Sequence, residues 1–133
     1  MAWLVRDGEV LASLEVAADR RARMRGLLGR DGIEGVLLLS PARSVHTFRM
    51  RFPIDVAYVA RDDADGETLR VLKVRTMERN RLGLPVWKAM GVLEAEAGVM
   101  RSWGLAAGDR LRVRDARAHG ADGPGADRAG IDG

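Results

Sequence analysis

The chain has 133 residues, of which 47% are hydrophobic and 31% charged, a composition that suits one globular domain with one core. It has no cysteine, which excludes disulfides and thiolate metal sites. Two histidines are too few to favour a histidine-based zinc site, so we expect neither a metal nor another cofactor. The net charge is +3, and all of the 22 basic residues except Lys73 and Lys88 are arginines. An arginine-rich face attracts nucleic acid, but most of these arginines alternate with carboxylates, so nucleic acid is the least favoured partner.

The chain shows no membrane or export signal. Its start, MAWLVRDGEV, lacks the basic stretch, the apolar stretch and the small-residue cleavage site of a signal peptide. No apolar run approaches the roughly 20 residues that a helix needs to span a bilayer. We therefore expect a cytoplasmic protein without a membrane span, and the sequence alone sets no oligomeric state.

The first third of the chain predicts a hairpin, a helix and a buried strand. Two apolar segments flank Asp7-Gly8, a pair that favours a tight two-residue turn. Apolar residues at helical spacing follow, with Asp19 as a cap and Gly29 as a stop, which predicts one short helix. Residues 36–39 are apolar at every position, as is typical of a central strand that is covered on both faces.

Segment 45–60 concentrates rare residue types, because it holds one histidine, both phenylalanines and the only tyrosine. Alternation predicts a strand in its first half, with Arg49 on one side. On the opposite, core-facing side the same alternation places His46, Phe48, Met50 and Phe52. Pro53 cannot donate to a ladder, so we expect the strand to bend there and to resume over 54–60.

The rest of the chain predicts further short strands. These are expected at 68–74, 91–97 and 110–114, with a single helical turn over 98–103. Between the first two lies 78–87, which has no period and predicts a long surface loop or flap. From 116 to 133 glycine, alanine and aspartate dominate and no periodicity remains, which predicts a disordered tail.

Six to eight short strands and two short helices predict a β-dominated α+β domain over residues 1–115. The strands follow one another too closely for crossover helices, so most pairing should be antiparallel. Closure into a small barrel is favoured because it removes exposed sheet edges.

Five blocks occur in an order that resembles a known set of motifs. They read GLLGR (26–30), Gly-Val-Leu (35–37), HTFRMRFPIDVAYV (46–59), VLEAEAG (92–98) and GLAAGD (104–109). This order resembles the prokaryotic family called domain of unknown function 192, over about Leu14 to Val113. The resemblance implies a small β-rich fold and no established activity.

Matching to that family singles out particular positions. They are Arg23, Arg30, Phe48 to Met50, Asp55, Leu93 and Glu94. Arg49 stands where the family has a tryptophan, and Leu28 where it has a methionine. If the family's tryptophan stacks on a ligand, this replacement implies a different ligand or none. Many members also carry an export signal or a lipid anchor, and neither is visible in this chain.

His46, Asp55 and Glu94 are the candidate catalytic residues, because an imidazole and two carboxylates are the groups that general acid/base chemistry uses. Each has a structural alternative, which for Glu94 is the same as for Asp55. His46 would lie at the edge of the core. A buried Asp55 would be held by an arginine or by the backbone N–H groups of a turn, because an unpaired buried charge is costly.

The candidate ligand-binding residues are Arg23, Arg49, Asp55 and Trp87. Arg23 belongs to an arginine cluster at the first helix, which either binds phosphate or forms a solvated face. Trp87 ends the irregular segment 78–87, which either contacts a partner or folds back over an open barrel end.

Three functions follow in order of preference. The first is a non-enzymatic binding or accessory domain that holds a small molecule or protein segment in a groove lined by 46–55 and roofed by 79–87. The second is a hydrolase or lyase that uses the three acid/base residues, with Arg49 or Arg23 holding an anion. The third is weak binding of nucleic acid to the arginine-rich face. No phosphate loop, metalloprotease helix or serine nucleophile elbow is present in the sequence.

Overall fold

A computed structural model of the chain describes residues 2–19, 22, 30–62 and 67–115. Seven strands close into a barrel in the order β1-β2-β3-β6-β4-β5-β7. They are β1 (Ala2–Arg6), β2 (Glu9–Ala17), β3 (Val36–Leu39), β4 (Ile54–Arg61), β5 (Thr68–Met77), β6 (Gly91–Glu96) and β7 (Arg110–Asp115). Among these strands β2 and β3 pair in parallel and every other neighbouring pair is antiparallel. The predicted β-dominated barrel with mostly antiparallel pairing is confirmed.

The hairpin of β1 and β2 forms as expected from its turn residues. Asp7 and Gly8 both have positive φ angles, 52° and 81°, which the tight turn between the strands requires. The predicted helical turn is also present, as α1 (Val99–Ser102), and Gly104 follows it with a φ of 64°. No helix in the described part of the chain is long and apolar enough to cross a membrane.

Two predicted segments fall largely outside the described residues. Of the first expected helix only Asp19 and Ala22 are described, and the Ala22 N–H donates to Asp19 Oδ1 at 2.8 Å, as a cap does. Residues 20, 21 and 23–29 lie outside the described residues. The tail predicted over 116–133 lies outside them as well.

The barrel has an apolar interior and a second apolar layer on its outside. The interior includes Leu4, Leu14, Leu38, Val59, Leu69 and Leu111. The outer layer lies on β3, β4 and β6 and includes Leu37, Val56, Tyr58 and Val92. Strand β3 is therefore buried at every residue, which confirms the prediction of a strand covered on both faces.

Two irregular segments, residues 43–50 and 78–90, close over this outer layer and are called the cover here. They are hydrogen-bonded to each other along their length. The backbone N–H of Thr47 donates to Arg81 O at 2.8 Å, that of Gly83 to Val45 O at 2.9 Å, and that of Val86 to Arg43 O at 2.8 Å. The irregular course expected for 78–87 is confirmed.

The strand predicted over 45–52 is wrong. Its predicted core-facing side is wrong for His46 and Phe48, whereas Met50 is buried and Phe52 partly buried, as predicted. Only an isolated bridge from His46 to Leu82 forms there. His46 and Phe48 are exposed, whereas Val45 and Thr47 are buried. A turn closed by the Met50 N–H donating to Thr47 O, with Arg49 at a φ of 65°, reverses the chain and breaks the alternation.

Candidate functional site

Asp55 is a buried carboxylate whose two oxygens are both engaged. Thr76 Oγ1 donates to Asp55 Oδ1 at 2.6 Å. The backbone N–H groups of Gly98 and Met100 donate to Asp55 Oδ2 at 2.9 and 3.1 Å. The side chain thus ties β4 and β5 to the first turn of α1, with the backbone groups of a turn as its partners and no arginine paired with it in the described residues.

Glu94 is a buried carboxylate in a different environment. It lies in β6 with 4% exposure, and Leu37 and Val56 are its neighbours on the adjacent strands. No described residue forms a hydrogen bond with its carboxylate. Burial raises the pKa of Glu94 to about 7, and the positive charge of Arg30 opposes this rise. Glu94 is therefore a proton-binding group near neutral pH.

Tyr58 lies diagonally across from Glu94 in the same outer layer. Its hydroxyl is buried and has no hydrogen-bond partner among the described residues. Burial raises the pKa of Tyr58; the Arg75 charge lowers it and the Glu94 charge raises it further. Gly83 of the cover lies over the hydroxyl, because a Cβ at that glycine would be 3.1 Å from Tyr58 Oη. In the sequence Tyr58 was noted only as the single tyrosine of the chain. Its hydroxyl was not predicted to lie below the cover.

The three candidate acid/base residues are not brought together. In the register of β4 and β6, Asp55 pairs with Ala95, and Glu94 pairs with Val56. Neighbouring positions on a strand point to opposite faces, so the two carboxylates leave the sheet on opposite sides. His46 lies on the exposed side of the cover, where its ring stacks on Phe48 with centroids 5.3 Å apart.

The proposed ligand-binding residues are also dispersed. Asp55 is sealed by its hydrogen bonds, and Arg49 is exposed at the turn, where its backbone N–H donates to Asn80 Oδ1 at 3.0 Å. Trp87 is 74% exposed. Arg23 lies outside the described residues. Of these four residues, Trp87 alone borders an open cleft.

That cleft has a volume of about 800 Å³ and lies where the cover meets the end of β4. Its floor and walls include Ser40, Pro41, Ala89 and Met90. Backbone hydrogen bonds hold this junction together, since the Met90 N–H donates to Val59 O at 2.8 Å and the Ala42 N–H donates to Met90 O at 3.1 Å. The cleft is therefore built on the barrel rather than on a free loop.

The charged residues that line the cleft are all cationic. They are Arg43, Arg61 and Lys88, and Trp87 stands beside them. All three cations are exposed, and none forms an ion pair with a carboxylate in the described part of the chain. Cationic side chains that are free of carboxylates attract an anion.

Sequence reasoning missed these three cations. They come from the turn after β3, the end of β4 and the end of the cover, and nothing in their spacing indicates that they meet. Lys88 was visible only as one of two lysines in an arginine-rich chain. Within the described residues no group of three or more histidine, aspartate or glutamate side chains is placed to hold a metal ion.

Solved structures of other proteins share this fold. A protein of Sinorhizobium meliloti 1021, provisionally described as a transcription regulator, is 19% identical, with a TM-score of 0.67 over 84% of this chain and 91% of that one. A protein of unknown function from Novosphingobium aromaticivorans DSM 12444 is 18% identical, with a TM-score of 0.66 over 86% of this chain and 83% of that one. At such identities the likeness shows a shared fold alone.

The comparison with curated proteins gave no match. A family model, by contrast, matches residues 2–113, which is most of the chain and all seven strands except the end of β7. The blocks that resembled a family in the sequence lie within this range. The chain belongs to the family DUF192, described as "Uncharacterized ACR, COG1430".

Proposed function

We propose that the protein is a non-enzymatic binding domain that holds a small anionic ligand in the cleft beside Trp87. The observation that carries this proposal is the set of cations at the cleft, Arg43, Arg61 and Lys88, which have no paired carboxylate in the described residues. The cleft volume of about 800 Å³ falls in the range of small-molecule sites.

The chemistry of the cleft defines the ligand class. Two guanidinium groups and one ammonium group bind phosphate or carboxylate oxygens, and an arginine does so in a bidentate manner. Trp87 adds an exposed indole face on which a flat or sugar-like portion of the ligand stacks. The ligand that fits best is a phosphorylated or polycarboxylate small molecule.

The position of the site refines the groove expected from the sequence. Segments 46–55 and 79–87 were expected to line and roof a groove, but the Thr47, Gly83 and Val86 hydrogen bonds join them to each other. The open space lies instead at the end of the cover, where Trp87 meets Arg61 of β4. Binding is favoured over catalysis because no acid/base group lines this cleft.

Calorimetric titration with inorganic pyrophosphate, citrate and glucose tests the proposal. We expect saturable binding of at least one of the two anions and no binding of glucose. Arg61→Gln should weaken anion binding by about tenfold, equivalent to about 1.4 kcal/mol. Arg70→Gln is the matched control, because Arg70 is an exposed arginine of β5 that does not line the cleft. Equal affinity in both variants, or no anion binding to the native protein, would overturn the proposal.

A further inference from the structure

The outer side of the cover exposes large apolar side chains. Phe48 is 45% exposed, Leu82 69%, Leu84 73% and Trp87 74%. Only Val10 and Val16, both in β2, are other large hydrophobic side chains exposed to this degree in the described residues. Side chains with about three-quarters of their surface exposed project from the protein.

The pairing of the two cover segments places these side chains on one side. His46 and Leu82 form a bridge, and Phe48 stacks on His46. Between Leu82 and Leu84 the chain turns Gly83 inward, toward Tyr58 Oη and Met77. Leu82 and Leu84 therefore project outward, on the side of His46 and Phe48.

Residues on the inner side of the cover anchor the segments that carry these exposed apolar side chains. Thr47 is fully buried, and its hydroxyl donates to Glu78 O at 2.6 Å and accepts from the Arg81 N–H at 2.8 Å. Val45 and Met50 pack into the outer apolar layer. The apolar projections are presented by an anchored element of the barrel.

The same element is strongly cationic. Its exposed basic residues are Arg43, Arg49, Arg79, Arg81 and Lys88. Glu78 is the only acidic residue in segments 43–50 and 78–90. None of the five cations forms an ion pair with a carboxylate in the described ranges. Positive charge thus surrounds the apolar projections without a neutralising partner.

We propose that the outer side of the cover docks on the surface of a membrane that contains anionic phospholipids. Projecting leucine, phenylalanine and tryptophan side chains insert at the boundary between headgroups and acyl chains, while arginine and lysine contact the negative headgroups. A bilayer surface accepts any set of projections, whereas a protein partner needs a matching pocket for each. The net positive charge of the cover complements a negative lipid surface.

The test of this inference changes only residues that do not line the cleft. Leu82, Leu84, Arg79 and Arg81 do not line the cleft, and Arg61 of the cleft is not part of the cover. Arg43, Trp87 and Lys88 belong to both surfaces and are therefore left unchanged in the test. Failure of one proposal is thus distinguishable from failure of the other.

Sedimentation with vesicles tests the proposal. We expect the native chain to bind vesicles of phosphatidylcholine mixed with phosphatidylserine at low salt, and to bind poorly at high salt or to phosphatidylcholine alone. The double variant Leu82→Ser with Leu84→Ser should bind the mixed vesicles at least about tenfold more weakly. The double variant Arg79→Gln with Arg81→Gln should bind them more weakly at low salt.

Matched controls come from the same barrel. Val10→Ser with Val16→Ser removes two exposed apolar side chains outside the cover and should leave vesicle binding unchanged. Arg70→Gln, at an exposed arginine of β5 that belongs to neither surface, should leave it unchanged as well. The proposal fails if the native protein does not bind mixed vesicles at low salt, or if the leucine variant binds them as tightly as the native protein does. If the native protein does not bind vesicles but binds an acidic amphipathic peptide through Leu82 and Leu84, the proposal is overturned and the partner of this surface is a protein.

Discussion

Asp55 and Glu94 lie on hydrogen-bonded strands one register position apart, and their carboxylates leave the sheet on opposite faces. On one face Asp55 is held by three donors from Thr76, Gly98 and Met100. On the other face Glu94 has no hydrogen-bond partner among the described residues and binds a proton near neutral pH. One carboxyl group is thus held by hydrogen bonds, whereas burial favours the neutral form of the other.

Replacement of Asp55 tests the first half of this relationship. Asp55→Ala leaves two backbone N–H groups and one hydroxyl without an acceptor, so we expect the free energy of unfolding to fall by about 3 kcal/mol. Asp55→Asn keeps an acceptor for the N–H groups and a donor for the Thr76 hydroxyl, and should cost about 1 kcal/mol. Urea unfolding measures both, with Asp31→Ala as an exposed control. Equal midpoints for the two Asp55 variants would contradict the account.

The pH dependence of stability tests the second half. The folded-state pKa of Glu94, about 7, lies above the ordinary glutamate value of 4.5, so between these values the folded chain holds a proton that the unfolded chain has lost. Stability from this group is therefore complete below about pH 4.5 and falls as the pH rises to about 7. The full loss is about 3 kcal/mol.

Glu94→Gln removes this titration while keeping the shape of the side chain. The variant should equal the native protein in stability near pH 4.5 and exceed it at pH 8 by up to about 3 kcal/mol. Urea unfolding of both proteins across this range gives the difference directly, because all other titrating groups contribute equally. A difference that does not change with pH would show that Glu94 stays charged when folded.

Removal of the Tyr58 hydroxyl is expected to raise the free energy of unfolding, whereas removal of the Asp55 carboxylate lowers it. Because the hydroxyl is buried without a partner in the described residues, Tyr58→Phe removes an unsatisfied polar group and keeps the ring. We expect the variant to gain about 1 kcal/mol in the free energy of unfolding. Thermal unfolding measured at neutral pH gives the sign. A clear loss of stability would mean that the hydroxyl is hydrogen-bonded in solution.

Gly83 tests how closely the cover packs on the barrel. A Cβ there would lie 2.9 Å from Val45 O and 3.1 Å from Tyr58 Oη, so Gly83→Ala must displace backbone. We expect a loss of about 2 kcal/mol, the usual cost of overpacking. Gly32→Ala is the control, since a Cβ at Gly32 meets nothing within 4 Å. Similar melting temperatures for the two variants would place the cover farther from the sheet.

The barrel follows from short-range signals, and the site does not. Three parts of the barrel could be predicted from a few neighbouring residues each, because a turn or a strand is specified locally. They are the Asp7-Gly8 turn, the apolar run at 36–39 and the strand after Pro53. Alternation failed at 45–52 because it assumes an extended chain. The burial of Thr47 depends instead on hydrogen bonds to Glu78 and Arg81, more than thirty residues away in sequence.

The cleft shows the same limit. Arg43, Arg61 and Lys88 meet only because the cover lies across the end of β4, and no local pattern marks any of them. Asp55 was identified as a buried acid because one carboxylate interrupts an apolar strand. Glu94 was identified as a second candidate of the same kind. The two carboxylates lie on opposite faces of the sheet because of the register between β4 and β6, and the sequence pattern of a single strand does not contain that register.

The most direct test of the anion-binding proposal is the indole N–H spectrum of the protein during titration with inorganic pyrophosphate. The chain has three tryptophans, Trp3, Trp87 and Trp103, and of these only Trp87 lines the cleft. We expect the Trp87 Nε1–H resonance to shift to saturation while those of Trp3 and Trp103 stay in place. An unmoved Trp87 resonance, or equal and unsaturable shifts of all three, would contradict a built anion site in this cleft.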